Sequence, residues 1–160
     1  MGDIVIRELT ALEDLQSIFP LIHQLNPELD EALFRQRLDA MLLEGGYRCI
    51  AAFDRDVMVG AAGFWTGTHL WCGRYVEPDN VIVDRTLRSG GIGKLMMDWI
   101  EVEARRMGCE LLKLEAYAER TRTREFYRRQ GYGEPGVVMI KPLPVEGAQT
   151  LEDILAKGRG

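Results

Sequence analysis

Hydrophobic and polar residues follow two periods along this chain, and the period predicts the elements. Ile4–Glu8 alternates as a half-buried strand does, whereas apolar residues recur at helical spacing over Leu12–Leu25. Thr10-Ala-Leu-Glu13 has the pattern of a capping box at the start of that helix. Pro20 should kink or split the helix, because it lacks the N–H that an interior turn needs.

The next segment predicts one more helix and then three strands. Asp30 can cap a second apolar-striped helix, which should stop at Gly45-Gly46. Beyond it, the strand-like runs predict a hairpin, a turn-rich connection and a further strand. The predicted ranges are Arg48–Phe53 and Val57–Trp65 for the hairpin, Thr66–Gly73 for the connection, and Arg74–Asp84 for the further strand, with an interruption near Pro78.

The second half of the chain alternates helices and strands. A long amphipathic helix should run from Ile92 to Met107 and end at Gly108. The predicted elements after it are a strand over Leu111–Ala116, a helix over Arg120–Gln130 closed by Gly131, and a final strand over Val137–Leu143. Hairpins followed by strand–helix–strand predict an α+β fold, with a mixed, mostly antiparallel central sheet and helices on both faces.

Domain organisation follows from length and composition. We expect a single domain over residues 1–143 and a C-terminal tail over residues 144–160. Residues 151–157 have the pattern of one short helix, and we leave open whether they cover a partner. A hydrophobic content of 46% and a charged content of 28% are ordinary for a soluble globular protein.

Charge and cysteine content exclude several function classes. A net charge of −5 argues against nucleic-acid binding and mildly favours a cationic substrate. There is neither a transmembrane-length apolar run nor a signal-like N-terminus. The three scattered cysteines indicate reduced thiols, and with His23 and His69 as the only histidines we expect no metal site. We therefore expect a cytoplasmic protein with neither a nucleic-acid nor a membrane partner.

The segment Arg88-Ser-Gly-Gly-Ile-Gly93 lies between a strand-like run and the long helix. A glycine-rich turn there presents free backbone N–H groups and the positive end of the helix dipole, which attract phosphate. Gly91 and Gly93 would let a phosphate approach without a Cβ in the way. The turn fits neither the P-loop pattern, because Leu95 follows Lys94, nor the dinucleotide pattern, because Met96 replaces its third glycine. A purely structural turn is the alternative.

A second motif, Phe126-Tyr-Arg-Arg-Gln-Gly-Tyr132, is much rarer by chance in this composition. Together the two motifs resemble those of the GNAT (GCN5-related N-acetyltransferase) family. The resemblance is specific over Val81–Tyr132 and looser over residues 4–80, where only the element order agrees. It implies the GNAT fold and acetyl-coenzyme A (acetyl-CoA) as co-substrate. The implied reaction is direct attack by a primary amine, of a small molecule, peptide or protein, in a ternary complex.

The resemblance also assigns roles to residues. Tyr127 matches the tyrosine beside the coenzyme A thiol and would protonate the leaving sulfur, with packing beside Phe126 as the alternative. Backbone groups of Val81 and Val83 would bind the thioester carbonyl and the pantetheine arm, because the family splays this strand from the next. Arg120 replaces an asparagine that the family often has, and could instead reach a phosphate. The expected cofactor-binding residues are Val81, Val83, Arg88, Ser89, Gly90, Gly91, Ile92, Gly93, Lys94 and Arg120.

The general base has three candidates. An amine with a pKa near 10.4 is mostly protonated at neutral pH, so that a base is useful. Glu77 is the first choice, because it resembles the base of the histone-modifying branch of the family in its distance from Arg88. Asp79 is the second, since it shares strand parity with Glu77, Val81 and Val83 unless Pro78 forces a bulge. Glu115 is the third, and solubilising edge charges are the alternative for the first two.

The acceptor and the competing functions are less determined. The aromatic residues before the presumed base would suit a cation or a flat substrate, or else serve core packing or a dimer contact. They are Phe64, Trp65, His69, Trp71 and Tyr75. A catalytically silent acyl-coenzyme A sensor or docking module is the competing function, and a different phosphate-binding fold is a third. A homodimer is left open.

Overall fold

The computed structural model describes residues 3–88 and 90–158, which fall into two compact units, Met1–Leu114 and Glu115–Gly160. The first unit contains β1 (Ile4–Leu9), α1 (Leu12–Gln16), α2 (Phe19–Leu25), α3 (Glu31–Glu44), β2 (Tyr47–Asp54), β3 (Val57–His69), β4 (Gly73–Val83), α4 (Ile92–Arg106) and β5 (Leu111–Leu112). The second contains α5 (Thr121–Arg128) and α6 (Leu151–Gly158). The single domain over residues 1–143 stays a prediction.

The first unit is built on one five-stranded sheet in the order β1-β2-β3-β4-β5. The first four strands pair antiparallel, and β5 pairs parallel to β4. The mixed, mostly antiparallel sheet of the sequence prediction is therefore confirmed. The β4–β5 ladder is short: it joins Tyr75 to Leu111 and Val76 to Leu112.

Helices pack on both faces of this sheet. On one face, side chains of α1 to α3 such as Leu15, Ile22 and Phe34 form a core with the sheet residues Cys49 and Ala61. We call this the α3 face. Small side chains on the strands let these helices approach closely. The α3 face also carries the candidate acids described below.

On the opposite face, which we call the α4 face, α4 covers the sheet. The Phe64 and Trp99 rings lie 6.3 Å apart, and a Cβ built on Gly60 would meet the Met96 side chain at 3.2 Å. Arg48 of β2 ties this layer together. It donates two hydrogen bonds, of 2.7 and 2.8 Å, to Glu8 of β1, and a third of 2.6 Å to Glu103 of α4.

A β-bulge interrupts the pairing of β3 with β4. Ala61 pairs with Ile82 and Gly63 pairs with Asp79, so that Asn80 and Val81 together oppose Ala62. Asn80 adopts a positive φ of 51°. The sequence analysis placed an interruption near Pro78, but the extra residue is inserted after Asp79. Glu77 and Asp79 thus keep a common face.

The bulge corrects the expected parity of the valines. Ile82 lies on the α3 face with its partner Ala61, because paired residues share a face. Val83 pairs with Gly60 and therefore lies on the α4 face, opposite to Glu77 and Asp79. Of the two alternatives left open, shared parity with the valines or a bulge that breaks it, the structure has the bulge, because the inserted residue shifts the alternation by one.

Most helix ends follow their predicted signals. Pro20 lies in the first turn of α2, where no N–H is needed, and separates α2 from α1 as predicted. Gly45 and Gly108 follow α3 and α4 with positive φ. The capping box at Thr10–Glu13 was wrong: Ala11 occupies the N-cap of α1, and no side chain caps it.

Two strand predictions of the first unit need correction. β3 continues to His69 and β4 begins at Gly73, so the turn-rich connection shrinks to residues 70–72. The ring of Tyr75 fills the place of a side chain at Gly67, which lets a glycine lie within a ladder. The strand predicted over Leu111–Ala116 contains only its first two residues.

The second unit contains α5, α6 and irregular segments. The final strand predicted over Val137–Leu143 is absent, and its side chains are largely exposed, with Val137 at 89% and Met139 at 91%. An apolar run needs a ladder partner to form a strand, and Pro142 has no N–H to donate. The short helix predicted over residues 151–157 is confirmed by α6, which Thr150 caps through hydrogen bonds exchanged with Asp153.

None of the helices in residues 3–88 and 90–158 is long and apolar enough to cross a bilayer. Across the same described residues, no group of three or more His, Cys, Asp or Glu side chains could hold a metal ion.

Candidate active site

The glycine turn leads into α4 as the sequence predicts. Gly91 occupies the N-cap with a left-handed φ of 81°, and no side chain caps the helix. Leu95 donates to the Gly91 carbonyl at 3.1 Å. The N–H groups of Ile92, Gly93 and Lys94 precede this bond and have no partner within the helix. These three donors and the positive end of the helix dipole favour an anion.

The other residues of the turn are solvent-exposed where the structure describes them. Arg88 reaches back from the turn, and its Nε donates to the Val83 carbonyl at 3.4 Å. Gly90 N–H donates to the Leu87 carbonyl at 3.4 Å. The Lys94 ammonium pairs with Asp98 at 2.6 Å, so its side chain lies along the helix surface. Ser89 lies outside the described residues.

The outer edge of β4 has no ladder partner, within the described residues, beyond the point where β5 ends. Lys113 N–H donates to the Val76 carbonyl at 3.0 Å, and β4 continues for seven more residues to Val83. Asp84 N–H donates to Val59 of β3, so that backbone groups of alternate residues before it, Val83 and Val81, point to the free edge. The residue inserted at the bulge determines which backbone groups of β4 point to this edge.

Glu77 and Asp79 lie on the α3 face and differ in their surroundings. Glu77 forms an ion pair of 2.5 Å with Lys113. Burial raises the pKa of Asp79 above its ordinary value, an effect that hydrogen bonds from the Trp65 side chain and the Asn80 backbone oppose and the charge of Glu77 reinforces. Asp79 therefore holds a proton more tightly than an ordinary aspartate does.

Aromatic rings border the two acids. Tyr47 and Trp65 lie 5.1 Å apart, and Trp65 pairs with Glu77 across the strands. Tyr75 stacks on His69 at 4.5 Å, and the Lys113 ammonium lies 4.7 Å from the centre of the Tyr75 ring. Of the predicted aromatic group, Phe64 serves core packing on the α4 face, and Trp71 is 73% exposed in the turn between β3 and β4.

In the second unit, Tyr127 lies on α5 and is half-buried. Its ring meets Phe126 and Tyr132 edge-on at 5.1 and 5.4 Å. Burial raises the pKa of Tyr127 to about 12. The phenol therefore keeps its proton throughout the neutral range.

Two other predicted residues of the second unit have contacts of their own. Arg120 donates a 2.7 Å hydrogen bond to the Lys157 carbonyl at the end of α6, and its guanidinium lies 5.5 Å from the centre of the Tyr117 ring. Its Nε is buried without a hydrogen-bond partner in the described residues. Glu115 is exposed and lies outside any strand.

A family model described as Acetyltransferase (GNAT) family matches residues 9–132. The chain belongs to the GNAT acetyltransferase family. It is 32% identical over 133 residues to an aminoalkylphosphonate N-acetyltransferase of Salmonella typhimurium, a match over 82% of this chain and 86% of that relative. Membership identifies this GNAT protein as an acyltransferase enzyme, as predicted.

Solved structures support the GNAT fold. A GCN5-related N-acetyltransferase from Ralstonia eutropha JMP134 matches with a TM-score of 0.71 at 21% identity, over 88% of this chain and 99% of that one. Glucosamine-6-phosphate N-acetyltransferase from Arabidopsis thaliana matches with a TM-score of 0.69 at 18% identity, over 88% and 98%. At such identities the likeness shows the fold alone, and it confirms the predicted fold class.

Two features of the GNAT site were beyond the sequence prediction: the partner of Glu77 and the position of the bulge after Asp79. Lys113 joins Glu77 from the neighbouring strand, a pairing that no local pattern reveals. The bulge at Asn80 had a local signal, because Asn tolerates a positive φ better than most residues do. The positive φ falls on Asn80 and not beside Pro78, because asparagine tolerates that conformation.

Proposed function

We propose that this protein is an acetyl-CoA-dependent N-acetyltransferase for a small primary amine, which attacks the thioester directly in a ternary complex. The observation that carries the proposal is the β4 bulge. It turns backbone groups of Val81 and Val83 to a free strand edge that leads into the glycine turn. The same insertion leaves Asp79 on the α3 face, where an acceptor amine would need a base.

The cofactor phosphates would bind at the glycine turn. The free N–H groups of Ile92, Gly93 and Lys94 supply the donors, and Gly91 supplies the left-handed conformation that exposes them. Arg88 would add an exposed charge, with Gly90 beside it. Ser89 belongs to the same predicted set, and its role stays a prediction.

The free edge of β4 would bind the rest of the co-substrate. Val81 and Val83 can pair with the amides of a pantetheine arm as a neighbouring strand would. A backbone N–H in this stretch would polarise the thioester carbonyl as negative charge develops on its oxygen. When bound, acetyl-CoA supplies the activated acetyl group.

Asp79 is the favoured base on its environment. The pKa of Asp79 is raised by burial, which makes its carboxylate a better proton acceptor, whereas the carboxylate of Glu77 is engaged in the ion pair with Lys113. This proposal reverses the order of choice that sequence position suggested. Glu77 would then hold Lys113 and add negative potential that attracts a cationic amine. We do not propose Glu115 as the base, because it is exposed and lies outside a strand.

Tyr127 is proposed as the acid that protonates the leaving sulfur. The family motif carries this assignment, and the raised pKa supports it by keeping a proton on the phenol at neutral pH. Arg120 was expected to reach a phosphate, but its hydrogen bond to Lys157 offers a structural role within its own unit. We therefore propose Arg120 as a secondary contact at most.

A small amine is supported by one relative. The Salmonella protein is named for aminoalkylphosphonate, which is a small primary amine. A cytoplasmic location, the absence of nucleic-acid and membrane partners, and the oligomeric state are expectations from composition that this proposal does not need.

The deciding experiment is a turnover assay with acetyl-CoA and a panel of small primary amines, read by mass spectrometry of the acetylated product. We expect product with at least one amine and one coenzyme A released for each acetyl group transferred. Tight binding of acetyl-CoA without turnover on any amine would favour the silent acyl-coenzyme A module instead.

A further inference from the structure

A cavity of about 150 Å³ lies among α2, α3 and the sheet in the first unit. Its wall is mostly apolar side chains of the two helices. The polar residues that line it are Asn26, Arg37, Tyr47 and Asn80. The volume is below the ~300–1,000 Å³ of pockets for drug-sized ligands, so the cavity suits a compact molecule.

Arg37 stands out among the lining residues because it carries a charge with no protein partner. No hydrogen bond or ion pair involves it within residues 3–88 and 90–158. Arg35, two positions earlier on α3, is instead tied to Glu31 at 2.7 Å. Arg37 lies one helical turn after Phe34, which is buried against the sheet, while the Arg37 side chain itself is exposed. Its guanidinium is therefore available at the solvent side of the cavity.

The sheet side of the cavity lies beside Asp79. Asn80, which lines the cavity, is the next residue in the chain. The Tyr47 ring, which also lines the cavity, lies against Gly63, and Gly63 pairs with Asp79 across the strands. Arg37 and Asp79 form no ion pair with each other in the described residues. A guanidinium therefore lines this mostly apolar cavity, and the Asp79 carboxyl group belongs to the residue next to Asn80 in its wall.

We propose that Arg37 determines acceptor specificity by binding an anionic group of the amine substrate, a phosphonate, phosphate or carboxylate. The proposal rests on the function proposed above and adds the acceptor class, a short amine that carries an anion at its other end. The guanidinium fork matches the oxygens of such groups, and the apolar wall suits the alkyl spacer between anion and amine.

Bonds and protons balance in the acetyl transfer to such an amine. The ammonium form of the amine gives one proton to the Asp79 carboxylate; its nitrogen then forms a C–N bond to the thioester carbonyl carbon and releases a second proton to solvent. The C–S bond breaks, and the sulfur takes up a proton from the acid. Arg37 changes neither charge nor bonds, so that it is a positioning residue.

The test compares two acceptor amines of similar shape, of which one carries an anionic group and the other does not. Aminoethylphosphonate carries the anion, and neohexylamine replaces it with an uncharged tert-butyl group. For Arg37→Gln we expect KM for aminoethylphosphonate to rise by about 10–100-fold, the equivalent of one or two charge-assisted hydrogen bonds, with little change in kcat. The constants for neohexylamine should stay unchanged, and Arg37→Lys should recover part of the loss. Arg35→Gln is the matched control on the same helix and should behave as wild type.

A binding measurement separates this proposal from the proposed function. Calorimetry of aminoethylphosphonate with the coenzyme A-bound protein should show weaker binding for Arg37→Gln than for wild type by a similar factor. Equal binding by the two proteins overturns the role of Arg37, whatever the turnover. An equal loss for both acceptors also overturns it, because it indicates general damage to the cavity. Arg37-dependent binding without acetylation of any amine would leave the anion site standing and reject the proposed function.

Discussion

The ring of Tyr47 lies across Gly63 of the neighbouring strand, and a Cβ built on that glycine would be 2.7 Å from Cε2 and 2.9 Å from Cζ of the ring. Gly63 also pairs with Asp79 on its other side. The missing side chain therefore makes room for an aromatic ring directly beside the candidate base. The packing of the Tyr47 ring and the surroundings of Asp79 both depend on the absence of a side chain at Gly63.

Gly63→Ala should destabilise the fold, because the Tyr47 ring must move away from a densely packed position. We expect a loss of roughly 1–3 kcal/mol in the free energy of unfolding, as for other overpacked sites. Urea denaturation measures it. Gly133→Ala is the control: no heavy atom lies within 4 Å of its built Cβ, and its change should stay within about 0.5 kcal/mol. A Gly63→Ala protein as stable as wild type would contradict the close packing.

Gly91 tests the anion site at the start of α4. Its φ of 81° disfavours side chains, while no described atom lies within 4 Å of a built Cβ. Gly91→Val should cost about 1–2 kcal/mol in stability and weaken acetyl-CoA binding strongly. Gly91→Asn tolerates the left-handed conformation and should keep the fold better. If Gly91→Asn also binds acetyl-CoA less tightly in calorimetry, the loss comes from blocked approach; unchanged affinity in both variants would make the turn purely structural.

Tyr127→Phe should keep the fold and most of the acetyl-CoA affinity while lowering turnover. If the phenol is the principal acid, we expect kcat to fall by roughly 10²–10⁴-fold. Thermal unfolding and calorimetry provide the controls, since the ring contacts with Phe126 and Tyr132 do not need the hydroxyl. If Tyr127→Phe keeps the wild-type kcat, Tyr127 serves only in packing and is not the acid.

Asp79→Asn should change the pH dependence of the reaction. The base acts as a carboxylate, so wild-type kcat/KM should fall as the pH drops through the raised pKa of Asp79. The variant should lose most activity at neutral pH and recover much of it near the pKa of the amine, where the free amine is abundant. Initial rates across pH measure both effects.

The matched variant Glu77→Gln removes a charge from the same face of β4 and abolishes the ion pair with Lys113. We expect a smaller loss of kcat/KM than in Asp79→Asn. The fall of kcat/KM on the acid side of the pH profile, its acid limb, should stay at the same pH as in wild type. If Glu77→Gln abolishes the limb and Asp79→Asn does not, the two acids exchange roles. Equal losses at every pH in both variants would indicate substrate positioning instead of proton transfer.

Glu103 should make stability depend on acid pH. Hydrogen bonds from Arg106 and Arg48 lower its pKa from an ordinary 4.5 to about 2, against the opposing effect of desolvation. The folded state thus binds this proton more weakly than the unfolded state does. The resulting stabilisation is complete above pH 4.5 and is lost as the pH falls toward 2.

Glu103→Gln should therefore lower the free energy of unfolding by about 1–3 kcal/mol at neutral pH and reduce its decline across that acid window. Denaturant titrations at several pH values measure this. Glu101→Gln on the same helix breaks an exposed pair with Arg105 and should cost about 0.5 kcal/mol or less. A wild-type pH profile for Glu103→Gln would contradict the assignment.

Local signals account for the parts of the fold that the sequence predicted well. Gly91 marks the start of α4 because few other residues adopt its φ, and Pro20 separates α1 from α2 through its missing N–H. The ion pair of Glu77 with Lys113 was beyond prediction, since it joins residues on different strands. Gly67 misled the prediction of the β3–β4 connection, because its partner in packing, Tyr75, is known only once the two strands are paired.

The bulge at Asn80 has a consequence for how this sequence can vary. If β4 closed the bulge without losing a residue, regular alternation would place Asp79 and Ile82, which are three positions apart, on opposite faces of the sheet. Either the acid would turn toward α4 or the isoleucine would leave its core. Substitutions in this short segment that disfavour the bulge are thus penalised through stability, independently of any effect on activity. A lineage that gave up the reaction would still be under pressure to retain the geometry that made it possible.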